Sequence, residues 1–291
     1  MKTSDPSDEE IPTPSSSRLL INVSWDRTVP VRKHSKIIQE DEKEILVNSS
    51  IFPDDVILQI FKFLRSETII GVCMRISKQF YAKAIEIPLK FNFYGKKMNR
   101  DNLKLLLSSV HLANLTSLCL ENNNIGKEGV KCFMNAQYLK NLKTLNLKGN
   151  NIGIGVKSLA SNIFMKQLTK LNLNNNHMDN EAARAIATSE FLKELKVLKL
   201  CRNNISNKGI QYIAHSEYLH NLTILKLHYN PITNSTACLR SGFTHHLTVL
   251  DVGSCNIGSN DAKALSLNES LINLTELYIN NNSLNEQCLF E

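Results

Sequence analysis

The 291-residue chain has 42% hydrophobic and 21% charged residues, which is the composition of an ordinary folded protein. No apolar run approaches the roughly 20 residues that span a bilayer, and the polar, acidic N-terminus lacks the apolar core of a signal peptide. The formal charge is +7, but the lysines are spread along the chain, so neither membrane nor nucleic-acid binding is favoured. We therefore expect a cytoplasmic or nuclear protein.

The residues that usually carry chemistry show no catalytic or metal-binding pattern. The seven scattered cysteines include no CxxC pair, which indicates reduced thiols rather than a disulfide framework or a zinc site. The pairs His215 with His220 and His245 with His246 lack acidic or cysteine partners at metal-ligand spacing. We expect a protein that is not an enzyme and that binds no cofactor or metal.

Residues 1–48 are predicted to form a disordered tail. Pro6, Pro12 and Pro14, followed by the serine run 15–17, interrupt any helical or strand period. Acidic and basic stretches follow one another without a sustained apolar face. This segment therefore cannot bury enough surface to offset the entropy lost on ordering it.

Residues 49–88 are predicted to form a small module of three short helices. Pro53 stands at a first helical position, and two aspartates follow in the first turn, which favours a helix N-terminus. Two more helices are expected to begin at Ser66 and after Ser77. The first helix carries a broad apolar stripe at helical spacing, made of Val56, Ile57, Ile60, Phe61 and Leu64.

This module resembles an F-box. Phe52-Pro53 stands where that family has Leu-Pro, and Ile60-Phe61 with Leu64 matches its IFxxL motif. The segment Ile-Ser-Lys-Gln-Phe-Tyr at 76–81 is similar to the motif that closes the family's sequence, V-C/S-K-x-W/F-Y. The sequence departs from the family in a slightly longer middle segment and in Phe80, which replaces the commoner tryptophan. The resemblance implies docking on a Skp-type adaptor through Pro53, Ile57, Ile60, Phe61 and Leu64.

The strongest pattern in the chain is an internal repeat. The frame LxxLxLxxN begins at Leu115 and recurs at steps of 27, 26, 27, 27, 25 and 27 residues. Phe91, Phe93 and Met98 fall one period before the first frame and predict a degenerate N-terminal repeat. The seven regular repeats begin at Leu115, Leu142, Leu168, Leu195, Leu222, Leu247 and Leu274.

Each repeat changes from the two-residue period of a strand to a helical period, as in residues 180–187. One repeat alone buries too little to fold, so neighbours must share a core, with parallel strands on a concave face and helices on a convex face. The frame resembles the leucine-rich-repeat family, and its period and expected long helices are similar to the cytosolic, ribonuclease-inhibitor-like branch. The predicted fold class is therefore an α/β leucine-rich-repeat solenoid over residues 89–291.

The asparagine that ends each frame is predicted to bond the backbone of the turn, and the stacked asparagines to form a buried ladder. Cys255 occupies this position in the sixth repeat, where a buried thiol is a tolerated variant. The ladder comprises Asn123, Asn150, Asn176, Asn203, Asn230, Cys255 and Asn282.

Strand residues between the leucines are predicted to point to the concave face. They form a central row of Cys119, Asn146, Asn172, Lys199, Lys226, Asp251 and Tyr278. A basic middle with nearby tyrosines fits an acidic or phosphorylated target segment. The residues predicted to bind the target are Lys170, Lys199, Arg202, Lys226, Tyr229 and Tyr278. A solvated polar face would show the same residues, so that alternative stays open.

The two resemblances together imply the substrate-recognition subunit of an SCF-type cullin-RING ubiquitin ligase, with a Skp-type adaptor and a cullin as partners. Two alternatives from other classes remain open. The first is a non-catalytic interaction scaffold whose helical module only caps the repeats. The second is a GTPase-activating protein, for which Arg100 is the one candidate arginine finger that the sequence offers near the first repeat.

Overall fold

The computed structural model describes residues 83, 86–232 and 243–284. All of them belong to one of the two units into which the chain divides, residues 50–291. The predicted tail at 1–48 and nearly all of the predicted helical module at 49–88 lie outside the described residues. Both therefore stay predictions.

Among the described residues, eight short strands form one parallel sheet in which each strand pairs with the next along the chain. This topology confirms the α/β solenoid of parallel strands and helices for this part of the chain. The central leucines of the strands are register partners, as Leu171 is of Leu198. The strands are β1 (Leu89–Asn92), β2 (Leu115–Cys119), β3 (Thr144–Asn146), β4 (Lys170–Asn172), β5 (Val197–Lys199), β6 (Ile224–Lys226), β7 (Val249–Asp251) and β8 (Glu276–Tyr278).

Helices follow the strands and cover one face of the sheet, enclosing a layer of fully buried leucines. The face that points away from them, which is the predicted concave face, is called the open face below. The α-helices are α1 (Arg100–Leu107), α2 (Gly126–Val130), α3 (Val156–Ala160), α4 (Asn180–Ala187), α5 (Asn207–Ala214) and α6 (Ser259–Ser266). Short 3₁₀ helices complete the repeats at Val110–Leu112, Lys131–Asn135, Gln137–Leu139, Gly153–Gly155, Ile163–Met165, Glu190–Leu192, Phe243–His246 and Glu269–Leu271.

The helices are shorter than the long convex helices expected from the resemblance, since each has five or eight residues. Glycines lie within or directly before the two shortest ones, and glycine lowers helix propensity by about 1 kcal/mol relative to alanine. α2 contains two glycines, and α3 directly follows Gly155. A β-carbon at Gly155 would lie 2.9 Å from the α-carbon of Lys127 in the preceding repeat. The close stacking of these repeats therefore requires a residue that weakens the helix.

Ladder asparagines, some buried and some half-buried, join each repeat to the one before it. The side-chain oxygen of Asn176 accepts hydrogen bonds from the backbone N–H groups of Asn150 (3.0 Å) and Ile152 (3.3 Å). Its Nδ2 donates to the carbonyl oxygens of Leu147 (2.9 Å) and Asn174 (3.1 Å). The bond from Nδ2 back to the preceding repeat recurs along the stack at Asn123, Asn150, Asn203, Asn230 and Asn282.

Cys255 takes the place of asparagine in the sixth repeat. Its buried Sγ donates to the carbonyl oxygen of Leu227 at 3.3 Å, which is the bond that asparagine makes in the other repeats. Its backbone N–H donates to Oδ1 of Asn282 at 2.9 Å. The thiol therefore replaces the donor of the ladder, and the stack continues through this repeat.

The two outermost strands of the described sheet differ in how their apolar side chains are covered. β1 pairs with β2 so that Phe91 lies opposite Leu118, and the N–H of Met98 donates to Oδ1 of Asn123 at 3.1 Å. β1 therefore belongs to the predicted degenerate repeat and forms the strand next to that of the first regular repeat. At the other end, Leu277 in β8 is 43% exposed, whereas its neighbour Leu250 in β7 is 1% exposed.

Candidate protein-binding surface

The strand register aligns the side chains of the open face in rows across neighbouring repeats. Lys199 is the partner of Lys226, which in turn is the partner of Asp251, and Asp251 is the partner of Tyr278. The predicted central row therefore lies in one line, but Lys170 lies two positions earlier on its strand. That position forms a second line, called the first row here, with Ser117, Thr144, Lys170, Val197, Ile224, Val249 and Glu276.

Arg202 and Tyr229 lie in the turns after β5 and β6, and both have left-handed backbones, with φ of 55° and 56°. This conformation costs a bulky side chain roughly 1 to 2 kcal/mol, whereas glycine and asparagine adopt it readily. The same turn position is left-handed in the other repeats at Asn122, Gly149, Asn175, Ser254 and Asn281. The repeat geometry thus imposes this backbone, and repeats four and five fill it with large side chains.

A chain of side-chain contacts holds these two residues. The Arg202 guanidinium carbon lies 4.4 Å from the centre of the Tyr229 ring, and that ring packs edge-on to His228 at 4.3 Å between centroids. His228 Nδ1 lies 3.5 Å from Oδ1 of Asp251, which also accepts a hydrogen bond from the Gly253 N–H at 3.1 Å. The buried Asp251 carboxylate therefore supports the exposed Tyr229 and Arg202 through His228.

Positive charge is concentrated at repeats three to five of this face. In the described part of the chain, Lys170, Arg202 and Lys226 form no ion pair, whereas Lys148 lies 3.3 Å from Glu121. Lys199 and Lys226 are register partners, and like charges in facing positions of neighbouring strands repel each other. An anionic partner would relieve this repulsion.

The tyrosine of the seventh repeat extends the surface. The exposed Tyr278 ring lies 5.8 Å from Nζ of Lys226, and its hydroxyl donates to Oε2 of Glu276 at 2.8 Å. This hydrogen bond, and then the negative charge of Glu276, raise the pKa of Tyr278 above its usual value. Tyr278 therefore stays a neutral aromatic surface at physiological pH.

Cys201 lies under the same surface and is a poor nucleophile. Burial, and then the charge of Asp251, raise the pKa of its thiol to about 12, and burial raises the pKa of Cys255 to about 11. Since only the thiolate reacts, neither thiol has the properties of a catalytic cysteine at neutral pH. Across the described ranges, no group of three or more histidine, cysteine, aspartate and glutamate side chains could hold a metal ion.

We expect Cys201 and Cys255 to resist alkylation by iodoacetamide near pH 7. Their raised pKa values keep the thiolate fraction negligible until the pH approaches 11 or 12, and burial also blocks access to Cys255. Mass spectrometry of the native protein should show both unmodified, and labelling in urea should modify them. Rapid labelling of Cys201 in the folded protein would contradict this assignment.

The other predicted sites lie elsewhere or outside the described residues. Arg100 begins α1, beside Lys104 and Lys131 in a shallow groove on the helical side. It therefore does not join the open face. The five residues predicted to bind an adaptor lie outside the described residues: Pro53, Ile57, Ile60, Phe61 and Leu64.

Sequence reasoning missed two features of the open face. The first is the left-handed backbone at Arg202 and Tyr229, which the asparagine and glycine at the same position of other repeats could have indicated. The second is an apolar stretch of the first row at Val197, Ile224 and Val249. These three residues stand at the third position of their LxxLxLxxN frames, so the sequence shows that this position is apolar in repeats four to six.

The described repeats form a parallel-sheet solenoid whose open face carries aligned cationic and aromatic side chains. A family model described as "Leucine Rich repeat" matches residues 111–134, 138–160, 166–187 and 244–266. The four matched segments are leucine-rich repeats, and together with the parallel sheet they support a protein-interaction domain in this part of the chain.

The chain is also similar to solved structures. Among the solved structures that match is internalin C2 from Listeria monocytogenes, which is 16% identical, with 78% of this chain and 87% of that chain covered and a TM-score of 0.47. No curated protein sequence matches the chain. Within the described ranges, no helix is long and apolar enough to cross a membrane.

Proposed function

We propose that this protein is the substrate-recognition subunit of an SCF-type cullin-RING ubiquitin ligase and works in the cytoplasm or the nucleus. In this role it is not itself an enzyme. Its helical module at 49–88 binds a Skp-type adaptor that connects it to the cullin, and its repeats hold the target. Holding the target near the ubiquitin-loaded enzyme raises the effective concentration of target lysines at the site of transfer.

The observation that carries the target-binding half of this proposal is the concentration of cations and aromatic rings on the open face. Arg202 and Tyr229 occupy strained turns and contact each other there, next to the facing Lys199 and Lys226. Strained residues and like-charge neighbours at one place are typical of a binding site, because folding alone would select against both. The chemistry fits an acidic or phosphorylated target segment.

The adaptor-binding half rests on the resemblance of residues 52–64 to an F-box. A Pro53 helix start followed by the stripe through Ile60 and Leu64 offers an apolar face to a partner. The alternative is a non-catalytic scaffold in which the same stripe packs against the first repeat. The two proposals agree on the repeat domain and differ only in what the helical module binds.

Binding to a recombinant Skp-type adaptor separates the two. We expect the purified full chain to retain the adaptor in a pull-down, and the double variant Pro53→Ala with Ile60→Asp to lose it, because a buried aspartate would replace an apolar contact. Circular dichroism should be unchanged in the variant. A chain that never retains the adaptor would contradict the ligase proposal and leave the scaffold.

A matched control lies in the same segment. Lys62 is on the opposite side of the predicted helix from the apolar stripe, so Lys62→Asp changes charge without changing that stripe. We expect this variant to bind the adaptor like the parent chain. Loss of binding in Lys62→Asp would mean that the predicted helix does not use its apolar face.

A further inference from the structure

The first row of the open face is apolar in repeats four to six only. Val197 and Ile224 are half-buried, and Val249 is 9% exposed. The three are register partners in β5, β6 and β7, so they form one continuous apolar line. The same position is polar in the other regular repeats, with Ser117, Thr144, Lys170 and Glu276.

The cationic pair of the central row lies on two of the same strands. Lys199 follows Val197 by two residues, and Lys226 follows Ile224 by two residues, so each pair points to the same side of the sheet. Two strand steps separate the lines by about 7 Å, and neighbouring strands lie about 4.8 Å apart. An apolar line and a cationic line therefore run side by side across β5 and β6. The two lines together are called the strip below.

The two ends of the strip differ in chemistry, because the cationic line stops at repeat six. Asp251 continues the cationic line into repeat six, but its carboxylate is buried and engaged with His228 and the Gly253 N–H. Beyond it lies the exposed Tyr278 ring. Carboxylates of a ligand are therefore favoured over Lys199 and Lys226, and apolar or aromatic groups are favoured toward repeat seven.

From this geometry we propose that the strip binds an extended protein segment in which acidic and aliphatic residues alternate. Successive side chains of an extended chain point to opposite sides, so a segment laid across β5 and β6 presents alternate residues to the two lines. Its carboxylates pair with Lys199 and Lys226, and its aliphatic groups cover the half-buried Val197 and Ile224 beside the buried Val249.

Charge and apolar burial reinforce each other in this arrangement. Aliphatic groups that cover the first row also exclude water from the neighbouring lysines, and a charge pair is stronger where less water surrounds it. An acidic segment without aliphatic residues would leave the first row uncovered. This inference deepens the proposed function, since it rests on the repeats being the target-binding part.

Synthetic peptides test the order of residues directly. The full-length protein is titrated into a short fluorescein-labelled peptide of alternating glutamate and valine, and into a peptide of the same composition with the glutamates and valines in two blocks. We expect the alternating peptide to bind about tenfold more tightly by fluorescence polarisation, which is the size of one good contact. Equal affinity for the two peptides would overturn the proposed alternation.

Variants of the strip identify where the peptide binds. Lys199→Glu with Lys226→Glu should abolish binding of the alternating peptide, whereas Lys157→Glu with Lys208→Glu, an equal charge change on exposed positions of α3 and α5, should leave it unchanged. Ile224→Thr keeps a β-branched residue in the strand and should weaken binding without unfolding the chain. Unchanged binding by the first double variant would overturn the proposal, provided its thermal melting matches the parent chain.

The remaining outcomes separate this inference from the ligase proposal and from phosphate recognition. A peptide with phosphoserine in place of every glutamate tests the anion, and binding of that peptide alone would overturn a carboxylate ligand. Failure of every peptide alongside retained adaptor binding would reject the strip and keep the ligase subunit. Peptide binding without adaptor binding would reject the ligase subunit and keep the strip.

Discussion

Replacing Asn176 with alanine is expected to lower the free energy of unfolding by about 3 kcal/mol. The substitution leaves the N–H groups of Asn150 and Ile152 without their acceptor, whereas the Leu147 carbonyl loses one of two bonds and keeps the one from Asn150 Nδ2. Each buried group that loses its hydrogen bond costs about 1 to 3 kcal/mol, and water reaches this site only partly. Urea titration of the full chain, followed by far-UV circular dichroism, measures the change.

Asn172→Ala is the matched control for that measurement. Asn172 belongs to the same repeat but is half-buried, and its Oδ1 accepts from the N–H of Asn174 at 3.1 Å within its own turn. We expect this variant to lose less than about 1 kcal/mol, because solvent can replace the bond. Similar losses for Asn172→Ala and Asn176→Ala would mean that the buried ladder contributes no more than a surface turn.

Replacing Leu198 with alanine is expected to lower the free energy of unfolding by about 3 to 4 kcal/mol. Leu198 is fully buried in β5, between Leu171 and Leu225 on the neighbouring strands. Repeats on both sides fix the walls of the site, so the cavity left by the side chain collapses only partly. The same urea titration measures this loss.

Leu277 provides a comparison at the same position of the frame. Because its side chain is 43% exposed in β8, Leu277→Ala removes less buried surface and leaves no enclosed cavity. We expect a loss below about 1 kcal/mol. If the two leucine variants lost equal stability, the cost would come from the strand position and not from burial, and the described packing would be wrong on this point.

The repeat pattern predicted the fold well because one physical constraint recurs in every unit. The apolar residues of the strand and the asparagine of the turn make equivalent contacts from repeat to repeat. Each of the seven frames is therefore independent evidence for the same local structure. The parallel sheet in sequence order and the helix at 180–187 follow directly from that pattern. Cys255 also fits, since its thiol replaces the amide donor.

The open face was predicted less completely because its residues differ from repeat to repeat. The sequence indicated that Lys199, Lys226 and Tyr278 share a row, but the contact of Arg202 with Tyr229 joins different turns and has no signature in either repeat alone. The support that Asp251 gives through His228 depends on where two side chains meet in space. Such contacts require coordinates.

The lengths of the helices show a different limit. The length of the repeat indicates that a helix fits between successive strands, but it does not determine how many turns that helix has. Gly155 is required by the close approach of Lys127, and it places a weak helix former directly before the five-residue α3. Contacts between repeats therefore override local helix propensity here.

Each repeat packs mainly on its two neighbours, so within the described sheet a strand paired on both sides should resist fraying more than an outermost strand. Leu198 is fully buried on a strand that is paired on both sides, whereas its counterpart Leu277 is exposed on an outermost described strand. Amide hydrogen exchange should therefore be slower in β5 than in β8. The proposed ligand strip begins on β5, a strand that we expect to be well protected, so little of its backbone must be ordered on binding. A ligand that docks there loses mainly its own conformational entropy.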